Sequence, residues 1–439
     1  MFNRLPKTAT APFCPSEVQA SVQVPAHLTF WKKLLIFAGP GLLVSVGYMD
    51  PGNWATDIEA GSRFGYALLS IVLLSSLAAT VLQCLSLRVG LVTGRDLAQL
   101  CRDQYPKPVR LVLWSFAEIA IIACDVAEVL GSALAFKLLF GFSMFVGIAV
   151  TALDTVIVLG LKGRGFRQVE AIILGLILTI GICFFVELWL VGPVWSDVFA
   201  GFIPRVQTFT QREPWYLAIG ILGATVMPHN LYLHSSIAQT RNNGKGESHI
   251  RESIKFGTID TVTSLSLAFF VNAAILILAA SAFHHTGHQS VTSIDDAYHL
   301  LDPITGTGLA SLLFGIALLA SGQSSTFTGT IAGQVLLEGF LNLKIPCWQR
   351  RVITRSLALI PAFIGVWLLG ENSVGRLLVM SQVVLSFQLP FAIYPLIKFV
   401  SDRKLMGSFA IRPILKLVSW SLFVIISAAN LWLVVQLLN

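Results

Sequence analysis

Apolar residues run along this chain in stretches of about 20 or more, each long enough to cross a roughly 30 Å hydrocarbon layer as a helix. Short polar segments separate them. The pattern predicts eleven spans, near 35–62, 67–93, 108–140, 142–163, 167–191, 214–241, 253–283, 307–338, 351–369, 374–399 and 412–437. Residues 1–33 hold Pro, Ser, Thr and Gln without an apolar leader-like run, so a disordered cytoplasmic tail is expected there. A core at 34–400 and a peripheral eleventh helix at 401–439 complete the expected organisation. The fold class expected is an all-α membrane protein.

Two of the spans are interrupted. Asp50-Pro51-Gly52-Asn53 sits inside the first, and Met227-Pro228-His229-Asn230 inside the sixth. Proline lacks an N–H, so the carbonyls four residues earlier, on Gly47 and Ala224, lose their helical partners. Non-helical backbone at membrane depth is tolerated only when buried in protein or lining a cavity. Matched breaks in the two halves of a transporter point to a midplane binding site. The breaks offer the Asp50 carboxylate, the Asn53 amide, the Met227 thioether and the two freed carbonyls. In the tenth span, Gln382 precedes a further proline and is a candidate extra ligand.

Polar positions elsewhere refine this picture. Glu118, Asp125 and Glu128 are offset by seven and ten residues in the third span, which puts them within about 80° of arc on one helical face. Carboxylates there read as a proton or ion path, with Arg350 and Arg351 at the start of the ninth span as candidate partners. His229 adjoins the second break. His234, about 140° further round the helix, is expected to be structural. Asp57 and Glu59 are expected to be solvated acids near the outer face. The loop 283–304, with several His and Asp, is a weaker candidate for external metal capture, and the eleventh span is expected to carry no polar interior.

Composition agrees with a membrane protein: 55% of residues are hydrophobic and only 12% charged. With the N-terminus in the cytoplasm, 25 of the 30 Lys and Arg fall in cytoplasmic segments, leaving Arg63, Lys137, Arg205, Arg212 and Arg376 outside. That is the positive-inside asymmetry. It places the C-terminus outside and accounts for the net charge of +7 without nucleic acid. The six scattered cysteines suggest neither disulfides nor a zinc site. No nucleophile constellation or nucleotide loop is present, so an enzyme is not expected, and neither is a bound cofactor.

A donor set mixing oxygens with one thioether favours softer transition ions over Mg²⁺ and Ca²⁺, so Mn²⁺ or Fe²⁺ fits best, with protons as the driving ion. A sodium-coupled amino-acid transporter is the alternative. The two broken-span motifs, with Gly322 to Gln334 in the eighth span, closely resemble the Nramp family of proton-coupled divalent metal transporters over roughly residues 35–437. The resemblance implies the leucine-transporter fold, a 5+5 inverted repeat (about 35–191 and 214–399) with broken helices 1 and 6. It implies metal ligation by Asp50, Asn53, Met227 and the Ala224 carbonyl, with the Gly47 carbonyl and Gln382 joining in some states. Glu118, Asp125, Glu128, His229 and Arg351 match family positions tied to proton movement. Cys124 stands where many bacterial members have Thr, and Asn230 where many have an apolar residue. The expected assembly is a monomer in the cell (inner) membrane, importing metal by symport.

Overall fold

The computed structural model describes residues 19–25, 27–153, 166–244, 246–289, 291–343 and 347–438. Those residues are nearly all helical. The first half contains α1 (Phe30–Phe37), α2 (Pro40–Gly47), α3 (Pro51–Phe64), α4 (Leu69–Thr93), α5 (Leu97–Gln104), α6 (Lys107–Phe140), α7 (Met144–Thr151) and α8 (Phe166–Val191). The second contains α9 (Arg212–Thr225), α10 (Pro228–Ile237), α11 (Glu247–Ala279), α12 (Ile294–Thr305), α13 (Leu309–Leu341), α14 (Cys347–Leu369), α15 (Val374–Ser401) and α16 (Pro413–Leu438).

Among the described residues, eight helices are long and apolar enough to cross a membrane, or nine if the bent pair α1 and α2 is one span. The eleven expected are not reproduced by that measure. The outer part of the first span runs through a tight turn at Gly65–Leu68 straight into the second, so Pro51–Thr93 reads as one stretch of 43 residues. The sixth span is two short helices, α9 and α10, on either side of its break. Much of the fourth, expected at 142–163, lies outside the described residues.

Small residues set the packing. Helices α6 and α13 lie side by side and antiparallel: Gly315 meets Leu139, Gly329 meets Asp125 and Gly333 meets Ile121. Close approach through glycine is the expected device where water does not drive association. Helix α16 is peripheral, exposing Ile414, Leu417, Val424 and Leu431. Its interior is not free of polar groups, however. Asn430 is buried and accepts a 2.8 Å hydrogen bond from Ser386 Oγ on α15, since a buried amide must find a partner.

The tail is also more ordered than expected in its described part. Val22–Gln23 forms a strand, β1, pairing in parallel with β2 (Arg241–Asn242), and α1 begins at Phe30. Backbone pairing satisfies polar groups that the apolar pattern does not register.

The first span bends by 43° between α1 and α2. Gly39 makes the bend at φ +151, and a Cβ there would run into the Glu170 carboxylate and the Arg241 guanidinium. The orphan carbonyls ending α1 meet cations. Arg241 donates to Ile36 O at 3.1 Å and Ala38 O at 2.9 Å, and Arg167 to Ala38 O at 2.6 Å and Leu35 O at 2.9 Å. The orphan N–H groups of Gly39 and Gly41 meet the carboxylate of Asp260 at 3.2 and 2.7 Å. Charges of opposite sign thus cap the two helix ends. Arg241 is itself held by Glu170 through contacts of 2.7 and 3.0 Å, both side chains being almost fully buried.

Glu170→Ala leaves the Arg241 charge without its carboxylate, at a cost of about 3–5 kcal/mol for a broken buried pair. The thermal unfolding midpoint of the purified protein in detergent should fall clearly. A midpoint equal to that of the parent protein would show that the pair does not hold the bend.

Candidate functional site

The first break is built by its own sequence. Asp50 is the N-cap of α3: its Oδ1 accepts from Asn53 N at 3.0 Å, and Pro51 occupies the first helical position, where no N–H is needed. The carbonyls between α2 and α3 are mostly taken. Tyr48 O accepts from Asn53 Nδ2 at 2.6 Å and Asn272 Nδ2 at 2.8 Å. Met49 O accepts from Trp54 Nε1 at 3.2 Å and Ser321 Oγ at 2.5 Å. These bonds hold the unwound turn rigid and leave Asn53 Oδ1 buried with no hydrogen-bond partner.

At the second break, Met227 caps α10 in extended backbone, again with Pro in first position. Asn230 joins the two breaks. Its Nδ2 lies 3.4 Å from Val44 O and 3.7 Å from Met227 Sδ, and it packs directly against Gly47. Asn230 thereby orients the sulfur, a role that the linear pattern showed only as an Asn in register with Asn53.

Helix α15 closes the site. Gln382 Nε2 is 3.5 Å from Asp50 Oδ2 and lies against Gly52, where any Cβ would overlap it. A Cβ at Gly223, next to Ala224, would lie 2.8 Å from the Gln382 carbonyl. Gln382 Oε1 is buried without a partner. The side chains of Asp50, Asn53, Ala224, Met227 and Gln382 are all at most 1% exposed, so the site is closed on every side.

Beyond Met227 lies the carboxylate face of α6. Cys124 packs with Met227 and Leu385. Its Sγ is 3.7 Å from Glu128 Oε1 and 3.8 Å from His229 Nε2, so the thiol bridges the break and the acids. Gly329 of α13 presses on both acids: a Cβ there would be 2.8 Å from Asp125 Oδ1 and 2.9 Å from Glu128 Oε1. Glu118, two turns away, is half-buried. Among the described residues, the cation whose charge reaches Asp125 and Glu128 is Arg355. It is buried, and its Nη2 donates to Thr151 O at 3.0 Å. Sequence reasoning named Arg350 and Arg351, whose side chains lie outside the described part of the structure. One further helical turn from Arg351 would have reached Arg355.

The two histidines separate as their spacing required. His229 faces Cys124 on α6, while His234 Nδ1 meets Gln83 Oε1 at 3.0 Å on α4. Gln83 Nε2 in turn donates to Tyr48 OH at 2.8 Å, tying His234 to the first break.

Asp57 is not a solvated acid. It is 2% exposed, because it follows Asp50 by two helical turns and shares its inward face. Glu59 is instead paired with Arg63 at 2.9 Å. The His- and Asp-rich stretch after α11 is largely structural. His284 bonds Ser62 O at 2.9 Å, Asp302 accepts from Ser311 N and Oγ, and Asp295 pairs with Lys137. Among the described residues, no group of three or more His, Cys, Asp or Glu is placed to hold a metal ion.

The family model for natural resistance-associated macrophage protein-like (Nramp) sequences matches residues 41–436. This chain belongs to the Nramp family. It is 65% identical over 434 residues to a divalent metal cation transporter of Ralstonia nicotianae, covering 99% of this chain and 98% of that one. A divalent metal cation transporter of Pseudomonas aeruginosa is also 65% identical, with 98% of both chains covered. Among solved structures, the Eremococcus coleocola manganese transporter superposes with a TM-score of 0.88 at 39% identity, over 95% of this chain and 89% of that one. Mhp1 and MhsT, at 14% identity and TM-scores of 0.62 and 0.60, share the fold alone. The Nramp chain therefore has the leucine-transporter architecture, with its breaks in the first and sixth spans.

Proposed function

We propose that this Nramp chain is a secondary transporter importing divalent transition metal ions, Mn²⁺ and Fe²⁺, together with protons across the cell (inner) membrane, its N-terminus cytoplasmic. One observation carries the reading. Two interrupted spans bring a carboxylate, a thioether and unpartnered amide oxygens into one fully buried locus. Buried polar atoms without partners are rare enough to require a reason, and a cation binding to Asp50, Asn53, Met227, Gln382 and the carbonyls of Ala224 and Gly47 supplies one. The relatives named as divalent metal cation and manganese transporters support the cargo class.

Enclosure of the donors suits alternating access about a fixed midplane site. A single formal charge among the donors suits reversible binding. His229, Cys124, Glu128 and Asp125 form a polar route away from the metal locus, which supports proton coupling. The sodium-coupled amino-acid alternative is disfavoured by Asp50, since a substrate carboxylate would face that buried carboxylate at the very break it must approach.

Asp50→Ala should weaken Mn²⁺ binding, measured by calorimetry, by more than the roughly 10–100-fold expected when only an outer hydrogen-bonding partner of a metal ligand is lost. Wild-type affinity in that variant would remove Asp50 from the ion. Met227→Ala should retain part of the Mn²⁺ uptake while letting excess Ca²⁺ compete; an unchanged Mn²⁺/Ca²⁺ ratio would end the argument from sulfur. In vesicles at acidic outside pH, Mn²⁺ uptake should acidify the lumen, and Glu128→Gln should reduce the protons carried per metal. Robust uptake with a silent lumen dye would mean uniport.

A further inference from the structure

Between α1 and the start of α11 lies a cleft of about 700 Å³, well away from the metal locus. Lys33, His249, Arg251 and Lys255 line it together with Phe30 and Phe256. Glu252 also faces it, but that carboxylate is already engaged, by Lys33 Nζ at 2.6 Å and Asn243 Nδ2 at 2.9 Å. Arg251 and Lys255 make no ion pair with a carboxylate among the described residues. They rest instead over aromatic rings, Arg251 5.5 Å from the centre of Phe409 and Lys255 5.6 Å from that of Phe30. The cleft therefore combines unneutralised positive charge with an aromatic wall.

We propose that this cleft binds the phosphate of an anionic glycerophospholipid. Charge alone would also admit free phosphate, but the rim selects for lipid. Trp31 and Leu35 on α1 are 72% and 68% exposed beside it, and Phe30 is 43% exposed. Such side chains, unfavourable in water, suit the boundary between headgroups and acyl chains, where tryptophan concentrates. Basic pockets between spans at a membrane face are suited to acidic headgroups. The site also has a mechanical position. Helix α1 lies beyond the Gly39 bend, and Lys255 over Phe30 with Lys33 on Glu252 already joins α1 to α11. A phosphate shared by Arg251 and Lys255 beside Lys33 tightens that contact and holds α1 against the bundle. This last step rests on the alternating-access reading; the binding itself does not.

Native mass spectrometry of the full chain in detergent, titrated with phosphatidylglycerol or phosphatidylcholine, tests the site without reference to transport. One phosphatidylglycerol should be retained in preference to phosphatidylcholine. Arg251→Ala with Lys255→Ala should weaken that retention about tenfold or more, the scale expected for losing two cations near an acidic headgroup. Arg95→Ala with Lys107→Ala, two exposed cations outside the cleft, should leave it unchanged. If the alanine pair does not fold, Arg251→Gln with Lys255→Gln reads the same loss of charge. Equal retention of the two lipids, an equal loss in the control pair, or equal protection against thermal unfolding by inorganic phosphate would each overturn the assignment. Loss of lipid binding with Mn²⁺ binding intact would separate this site from the metal site.

Discussion

Every backbone N–H and C=O at membrane depth needs a partner inside the protein, and this requirement organises the molecule. A continuous helix meets it automatically. Each proline break in this chain does not, and the surroundings of each break can be read as the compensation. Tyr48 O and Met49 O each collect two donors, from α3, α11 and α13. The bend at Gly39 collects two arginines on its carbonyl side and one carboxylate on its N–H side. Around Asp50, the side-chain oxygens of Asn53, Asn230 and Gln382 remain buried without partners. Acceptors from both breaks and from α15 are thus left facing one buried region, where the carbonyls beside them are already taken.

The same requirement explains what could be read from the linear chain. Proline is suited to the first position of a helix, so Asp50-Pro51 and Met227-Pro228 were legible as breaks and as helix starts. Carboxylates seven and ten residues apart on α6 were legible because helical geometry alone places them on one face. Features that depend on which helix lies next door were not. Asp57 looked like an outer acid because it is near the end of a span, yet its face is turned inward by the packing of α3. Arg355 lies one turn deeper than the arginines that the end of a span draws attention to. Asn430 was hidden in an apolar run because its partner, Ser386, is 44 positions away. Asn230 stood in register with Asn53, but its hold on Met227 Sδ depends on α2 and α10 touching.

Span counting failed for a related reason. Hydropathy measures where a chain is apolar and is blind to where its axis turns. Pro51–Thr93 is one apolar stretch because the turn at Gly65–Leu68 contains no charge. The sixth span is two pieces because one proline and an extended Met outweigh its apolar character. Family membership decides the architecture where hydropathy does not, since the 0.88 superposition covers 95% of the chain.

The two ends of the broken spans are fastened with unequal strength. At the end bearing Arg167 and Arg241, the fastening is a multiply hydrogen-bonded cluster in which Arg241, Glu170 and Asp260 are buried and Arg167 lies at the surface, reinforced by the β1–β2 pairing. At the opposite end, α3 and α9 are joined by Arg63 to Glu213 at 2.6 Å, with Glu213 70% exposed. A pair so open to water contributes on the order of 0–1 kcal/mol. Breaking the buried cluster one member at a time strands a charge, whereas parting Arg63 from Glu213 merely rehydrates two. Of these two fastenings, the one at the Arg63 end is the weaker. Parting the Arg241 cluster without stranding a charge requires its charges to be taken up together, which makes it the firmer of the two ends.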